Sequence, residues 1–509
     1  MPASELPASA DILVVGGGTS GAALAGILAR DTDASVVLVE AGPDYGPFEA
    51  HDWPPELLDA RQIPGTHSWD YSGLAHPTHT NLTPFDRARV LGGCSAHNGC
   101  VALAGHRRDY DLWAELGNTG WDWESVAPAF ARARTALRVR QVDPADVSPY
   151  HGTFADAATT VGLQRTPNLD NPDGISEVGY SPVNIRDGVR WNTAFAYLDP
   201  VRALPNLHIV ERALVDRVEL DGDRAVAIHA LTDGGSGSRI QGQRIVLAAG
   251  AYASPAILMR SGIGAPDALR ALDITPLHPL PGVGASLQDH PTVGLMLRPT
   301  DELTRRMDAW SRDRWLSDEQ ALAKARSHVC EEAFDLHVIS YTPRETGGTA
   351  RTYQIWAADV APRSTGTVRL ASKDPTAAPL IDHGFLSDPE GHDLEVLHDG
   401  FLLARAIAAS GKLGEVASVD EPELEPIPAG GDARAIMTRR IAHYYHPSCS
   451  CRMGPGGDGL AVVDADGRVH GLRGLYVCDA SIYPRLMRAN TNLPSAMLAE
   501  HLAPVIGRS

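Results

Sequence analysis

The run Ile12-Leu-Val-Val-Gly-Gly-Gly-Thr-Ser-Gly21 sets the reading of the whole chain. Asp11 leads into four β-prone apolar residues. Gly16, Gly18 and Gly21 then fall at G-x-G-x-x-G spacing before the Ala-rich run from Ala22 to Arg30. This pattern is a buried strand, a tight glycine turn and a helix. The glycines let backbone approach a pyrophosphate, and the helix start, with Thr19 and Ser20 in it, offers unpaired N–H groups and the positive end of its dipole to that anion. A second apolar strand from Ser35 to Val39 runs into Glu40 and Ala41. A carboxylate about 20 residues past the last glycine accepts the hydroxyls of an adenosine ribose. Glycines in a turn are weak evidence alone. Strand, helix and acid together point to a bound dinucleotide, FAD or NAD.

The 509 residues are 43% hydrophobic and 21% charged, an ordinary globular composition. At about 150 residues per domain, two or three domains are expected. A net charge of −19 argues against nucleic acid and disfavours anionic substrates at long range. Cys94, Cys100, Cys330, Cys449, Cys451 and Cys478 show no framework spacing, and Cys449 and Cys451 are not a C-x-x-C pair. They read as reduced thiols of a cytoplasmic protein, with no metal site among them. Met1 to Ala10 lacks the pattern of a signal peptide, and no run of about 18 apolar residues occurs, so neither secretion nor membrane spanning is expected.

Gly42 to Thr83 is a long irregular excursion rich in Pro, His, Asp and Gly, of the kind that lies over a ligand. It is followed by Arg89-Val-Leu-Gly-Gly-Cys-Ser-Ala-His-Asn-Gly-Cys100, where Gly92 and Gly93 permit backbone to pass close to a large planar group. Trp121 to Arg134 has helical period. From His151 to Asp199 the composition shifts to Asn, Pro, Asp and Gly, which marks a crossing into a second domain. Leu207 to Leu214, Arg217 to Leu220 and Ala225 to Leu231 read as strands, with Asp221-Gly222-Asp223 as a hairpin turn. Arg244 to Ala249 returns to the nucleotide sheet. Ser254 before Pro255 is read as a helix N-cap. Asp335 to Tyr341, Tyr353 to Ala358 and Gly366 to Leu370 suit a half-buried antiparallel sheet in the second domain. Leu475 to Cys478 is a further strand, ending in Asp479. Asn490-Thr-Asn-Leu-Pro494 opens a last helix through Ala503, with Asn492 as N-cap.

These segments together resemble the glucose-methanol-choline (GMC) family of FAD-dependent oxidoreductases over nearly the whole chain. The resemblance rests on the glycine fingerprint, on Gly250-Ala-Tyr-Ala-Ser-Pro through Ser261-Gly-Ile-Gly264, on Gly282-Val-Gly-Ala-Ser-Leu-Gln-Asp-His-Pro291 and on Asn490-Thr-Asn-Leu-Pro494. It implies FAD as cofactor. The implied fold is α/β, or α+β overall, with a Rossmann-like FAD-binding domain at 1–155, 200–295 and 440–509. A substrate domain built on an antiparallel sheet, at 156–199 and 296–439, is interleaved with it. The resemblance also assigns Val215, Asp479 and Asn492 to the cofactor. Gly93-Cys-Ser-Ala-His97-Asn98 is most similar to the choline-oxidase-like alcohol oxidases, which implies a covalent bond from His97 to the flavin 8α-methyl carbon.

His446 matches the family's active-site histidine in the block His-Pro-x-Gly-Thr, although Cys449 and Ser450 replace the Gly and Thr. A neutral imidazole accepts an alcohol proton at working pH, since its unperturbed pKa is about 6.5. Asn490 matches the family's His-or-Asn position, where an amide can bond the substrate oxygen in both protonation states. The last helix would aim its N-terminus at the flavin's pyrimidine end. The implied reaction is oxidation of a primary alcohol or sugar hydroxyl by hydride transfer to flavin N5. O₂ is the favoured acceptor, giving hydrogen peroxide, with a quinone-type acceptor as the alternative and a cyanohydrin-cleaving lyase as a third reading. Choline recognition needs an aromatic cage and a carboxylate. Tyr445, Trp310, Trp315, Tyr341, Trp356, Glu331 and Glu332 are available for it, but such residues suit sugars and benzylic alcohols equally. The sequence leaves oligomeric state open and is compatible with a homodimer.

Overall fold

In the computed structural model, which describes residues 7–232, 237–314, 317–343, 351–420 and 431–508, the strand Ser9–Val15 lies between Gly237–Leu247 and Val36–Val39, parallel to both. Ile12 to Val15 are all buried, because both faces of a parallel strand are covered. Leu207–Val210 extends the sheet past Val36–Val39, and Leu475–Val477 pairs with the end of Gly237–Leu247. The Asp-Gly turn closes the hairpin of Ala213–Asp221 and Arg224–Thr232, with Gly222 in the left-handed region. The helices Thr19–Asp31 and Asn492–Arg508 pack together beside this sheet.

A second sheet runs in the order Pro291–Pro299, Tyr353–Asp359, Leu336–Tyr341, Ala321–Ala325 and Glu177–Tyr180, antiparallel throughout these strands. Pro149–Thr160 and His392–Ala409 supply helical side chains to its core, among them Tyr150, Phe154, Leu397 and Phe401. The second core therefore starts at the helix from Pro149 and again at the strand from Pro291, a few residues earlier than the boundaries at 155 and 295. The composition shift at His151 begins inside that helix. Thr367–Arg369 does not join the sheet; it pairs with Leu380–Asp382 in a separate ribbon.

Two helix starts differ from expectation. Asn492 is the first residue of the last helix and not its cap, since the Thr491 carbonyl already accepts the Ser495 N–H, and the helix continues to Arg508. Ser254 and Pro255 lie within the helix Gly250–Arg260. Proline has no N–H to give the preceding turn, and the Ser450 hydroxyl donates to the freed Ala251 carbonyl at 2.5 Å. The Ser254 hydroxyl bonds Asp479 instead.

Candidate active site

At the phosphate loop Gly16 has φ +98° and packs on Ala248; a Cβ there would meet the Ala248 carbonyl at 2.6 Å. Gly18 is different, with no atom nearer than 4.0 Å to an added Cβ, so its outer side is open. Gly21, expected at the cofactor, does not line the cavity. A Cβ on it would lie 1.9 Å from the Gly16 carbonyl oxygen, so its role is close packing of helix on loop. Glu40 accepts the N–H groups of Gly17 and Gly42, both at 2.7 Å. Burial raises its pKa against the pull of those bonds. Each carboxylate oxygen keeps a second lone pair, which is what a ribose requires.

The cavity of about 500 Å³ begins at Gly16, Gly18, Thr19 and Ser20, passes Glu40, Ala41 and Val215, and continues past Asp479 and Gly93. Asp479 caps the helix from Gly250, accepting its N–H at 2.9 Å and the Ser254 hydroxyl at 2.5 Å. Gly93 has φ +51°, and a Cβ on it would meet the Gly18 Cα at 2.6 Å. The Gly92 N–H donates to the Gly17 carbonyl at 2.7 Å and the Leu91 N–H to that of Pro43. The end of the excursion after Gly42 is thus tied to the glycine loop at Gly17 and closed on its own start at Pro43. His97, Asn98, Asn490 and Asn492 line the far stretch with His446.

His97 is buried, and burial pushes its imidazole down to about 4. Its Nε2 lies 2.8 Å from the Thr66 carbonyl, which can only accept, so the proton sits on Nε2 and the lone pair on Nδ1.

The same logic fixes His446. Nε2 of His290 faces the Met487 carbonyl at 3.1 Å and therefore carries hydrogen. Burial pushes His290 down to about 4 and His446 well below the ordinary value, so both rings are neutral. Nδ1 of His290 is then an acceptor, and the 2.9 Å contact is a hydrogen bond donated by His446 Nδ1. The lone pair of His446 is left on Nε2, 3.5 Å from the Asn490 amide nitrogen. Asp289 Oδ1 accepts the backbone N–H of both His290 and His446, at 2.8 and 2.9 Å. Burial pushes Asp289 upward, but His443 and His383 outweigh it and hold the carboxyl below the usual range. Pairing of Pro291 with His443 brings the two histidine segments together.

Cys449 has φ +70°, the left-handed conformation a glycine takes without strain, so the turn survives the replacement of the family's Gly. Ser448 pairs with Gln288 through both backbone groups, which holds the turn in place.

The substrate side is walled by Tyr444, Tyr445, Ile339, Tyr341, Trp356 and Glu319. Sequence reasoning missed Glu319, Asp289 and His290 as site residues. The Asp-His pair at 289–290 was visible within a family block, whereas Glu319 carried no local signal. Glu331 and Glu332 are bound to Arg363 and Arg108 near the surface, and Trp310 packs on the second core. Trp315 lies outside the described residues. Among the described residues there is no cluster fit to hold a metal and no helix long and apolar enough to cross a membrane.

The glycine cradle, the paired carboxylate at Glu40 and the buried, unpartnered amide nitrogen of Asn492 fit a dinucleotide whose far end meets a neutral base. Such a site suits a dinucleotide-dependent oxidoreductase. Residues 10–292 and 362–499 match the N- and C-terminal models of GMC oxidoreductase, and the chain belongs to that family. It is 31% identical to the "Oxygen-dependent choline dehydrogenase" of Paraburkholderia xenovorans, over 97% of this chain and 93% of that one. It is 32% identical to the mitochondrial choline dehydrogenase of Mus musculus, over 97% and 89%. Pyridoxine 4-oxidase from Mesorbium loti superposes with a TM-score of 0.83 at 27% identity, over 97% of this chain and 98% of that chain. A fungal aryl-alcohol oxidase, at 21% identity and TM-score 0.81 over 99% of both chains, shares the fold. The chain is an FAD-dependent oxidoreductase acting on alcohol-type donors.

Proposed function

We propose that His446 is the base and Asn490 the hydrogen-bonding amide in oxidation of a primary alcohol or sugar hydroxyl, with O₂ as acceptor and hydrogen peroxide as product. The observation that carries this reading is the tautomer chain from Met487 through His290 to His446, which leaves one lone pair facing the cavity beside Asn490. FAD, when bound, supplies the hydride acceptor. Gly16, Gly18, Thr19, Ser20, Glu40, Ala41 and Val215 would hold its dinucleotide half, with Gly93, His97, Asn98, Asp479 and Asn492 towards the flavin. His446 takes the hydroxyl proton at Nε2, and Asn490 donates to the oxygen as negative charge grows there. Anaerobic bleaching of the flavin by an alcohol is the test; a lyase would leave it yellow.

The choline-oxidase-like block at Gly93–Asn98 and the oxygen dependence in the relative's name support O₂. The ring of Tyr444, 4.4 Å from that of His446 between centroids, supports a quinone-type acceptor instead, because it fills space beside the base. Reduced enzyme that reoxidises far faster with a quinone than in air reverses the choice. We assign the protein to the cytoplasm, on its six free cysteines.

The neutral ring of His97 and its Nδ1 lone pair support covalent attachment of the flavin. FAD is expected to stay with the polypeptide after acid precipitation, and His97→Ala to release it. A yellow supernatant from wild-type protein would count against the bond.

A further inference from the structure

The Asp289 carboxyl is fully buried, and its two oxygens differ in what they meet. Oδ1 accepts the backbone N–H of His290 at 2.8 Å and of His446 at 2.9 Å, which seats the acid against the main chain of the proposed base. Oδ2 has no hydrogen-bond partner. It faces Nδ1 of His443 at 3.7 Å and Nδ1 of His383 at 3.8 Å, and both of those nitrogens are buried and unpartnered too. Such gaps exceed the reach of an N–H···O bond. Among the described residues no arginine or lysine bonds this carboxyl. A carboxylate buried without a fixed cation is costly, so its presence beside a base calls for a use of its charge.

His446 is the neighbour that gains charge in the proposed reaction. Its Nδ1 hydrogen is given to His290, so an alcohol proton taken at Nε2 makes the ring a buried cation. Burial, His290, Arg87 and His443 all oppose that cation, and Asp289 favours it. The groups facing the ring are Asp289 and His290 from the segment before Pro291, His337 from the strand Leu336–Tyr341, Arg87 from the stretch before Gly92, Asn490 from the last loop, and His443 and Tyr444 from its own segment. Asp289 is the carboxylate among them. Behind it, His383 is held by the Tyr252 hydroxyl at 2.9 Å, and His443 turns Nε2 to the Pro84 carbonyl at 2.8 Å. Both rings are thereby fixed at their distance from Oδ2.

We infer that Asp289 is a positioning residue that works through His446: Oδ1 orients the base by its backbone, and the negative charge offsets the imidazolium formed as the alcohol loses its proton. Asp289 itself neither gives nor takes a proton. The inference rests on the reading of His446 as base, and it adds an electrostatic partner that the tautomer chain through His290 does not require.

The test is anaerobic flavin reduction of the holoenzyme, from about pH 5 to 9, by whichever of choline, benzyl alcohol and pyridoxine reduces wild type fastest. Asp289→Asn keeps an amide oxygen for both N–H groups and removes the charge. Its limiting rate should fall by about fivefold or more with the half-saturating concentration little changed, and its acid limb should move to lower pH by about one unit, as for loss of an opposite charge at this range. In a profile flat over the whole range the rate ratio decides. If only the bonds to the main chain mattered, Asp289→Asn would match wild type in rate and limb while Asp289→Ala was slow, and that result overturns the inference. A slow Asp289→Asn whose limb stays in place has lost structure and not charge, and counts against it equally. Should Asp289→Asn fail to load flavin, Asp289→Glu, which keeps the charge, is compared with Asp289→Ala; the glutamate variant should be the faster, and equal rates overturn the role of charge. His446→Ala separates the two readings. It should be slow and without the limb; a His446→Ala enzyme as fast as wild type removes the base, and this inference with it, whatever the Asp289 variants show.

Discussion

His446 is held by three bonds that act on different parts of it: Asp289 on its backbone, His290 on Nδ1, and Asn490 beside Nε2. Removing it as His446→Ala should slow anaerobic flavin reduction by about 10²- to 10⁴-fold. Asn490→Ala should slow it by about 10²- to 10³-fold, and the double variant by less than the product, because in the proposed reaction both groups would act on one oxygen. The pH dependence has a definite sign. A folded-state pKa below the ordinary value of about 6.5 keeps the ring neutral through neutrality, so reduction should be flat above that pH and fall on acidification. An acid limb lying above pH 6.5 would show that the ring is not in the buried pair described. His446 and Asn490, the proposed base and amide, stand out in the sequence because each lies in a family motif, and the fold brings the two side chains to 3.5 Å. Glu319 does not stand out, since it is one of 63 acidic residues and only its tertiary burial separates it from a solvated one.

The phosphate-loop strand, turn and helix were legible as a unit because strand period, glycine spacing and acid offset agree. Its tight contact is also its weak point. Gly21→Ala would force a Cβ to within 1.9 Å of the Gly16 carbonyl, and purified protein should carry far less flavin per polypeptide than wild type. Absorbance of the purified variant decides this, full flavin content being the adverse result. The turn after His446 makes a subtler case. Cys449→Gly relieves a left-handed φ that Cys449→Ala retains, so the glycine variant should be the more stable of the two by about 1 kcal/mol. Urea unfolding of both would show the reverse order if the turn were relaxed. Helix starts were the least legible elements. Ser254-Pro255 has the local grammar of an N-cap, but the Ser450 hydroxyl supplies the bond that proline removes, from 195 positions away in the chain. Local sequence cannot register such a partner.

Across the whole molecule the chain passes repeatedly between the two sheets, and His443 pairs with Pro291 where the strand of one core meets the proposed base, His446. We expect the flavin-loaded protein to unfold in one cooperative calorimetric transition; two well-separated ones would mean that the cores are thermodynamically independent. The interleaving was legible as returns to buried apolar strands, but its boundaries were not, because a helix that changes cores keeps an ordinary helical pattern. The strap that runs from Gly42 to Gly93 has a bearing on how a cofactor is loaded. Gly92 ties its end to Gly17 of the glycine loop, and Leu91 closes it on its own start at Pro43. A cofactor lying beneath this strap would exchange slowly with solution. Apoprotein is then expected to take up added FAD faster in mildly denaturing urea than in plain buffer; equal rates would show that the strap does not limit loading.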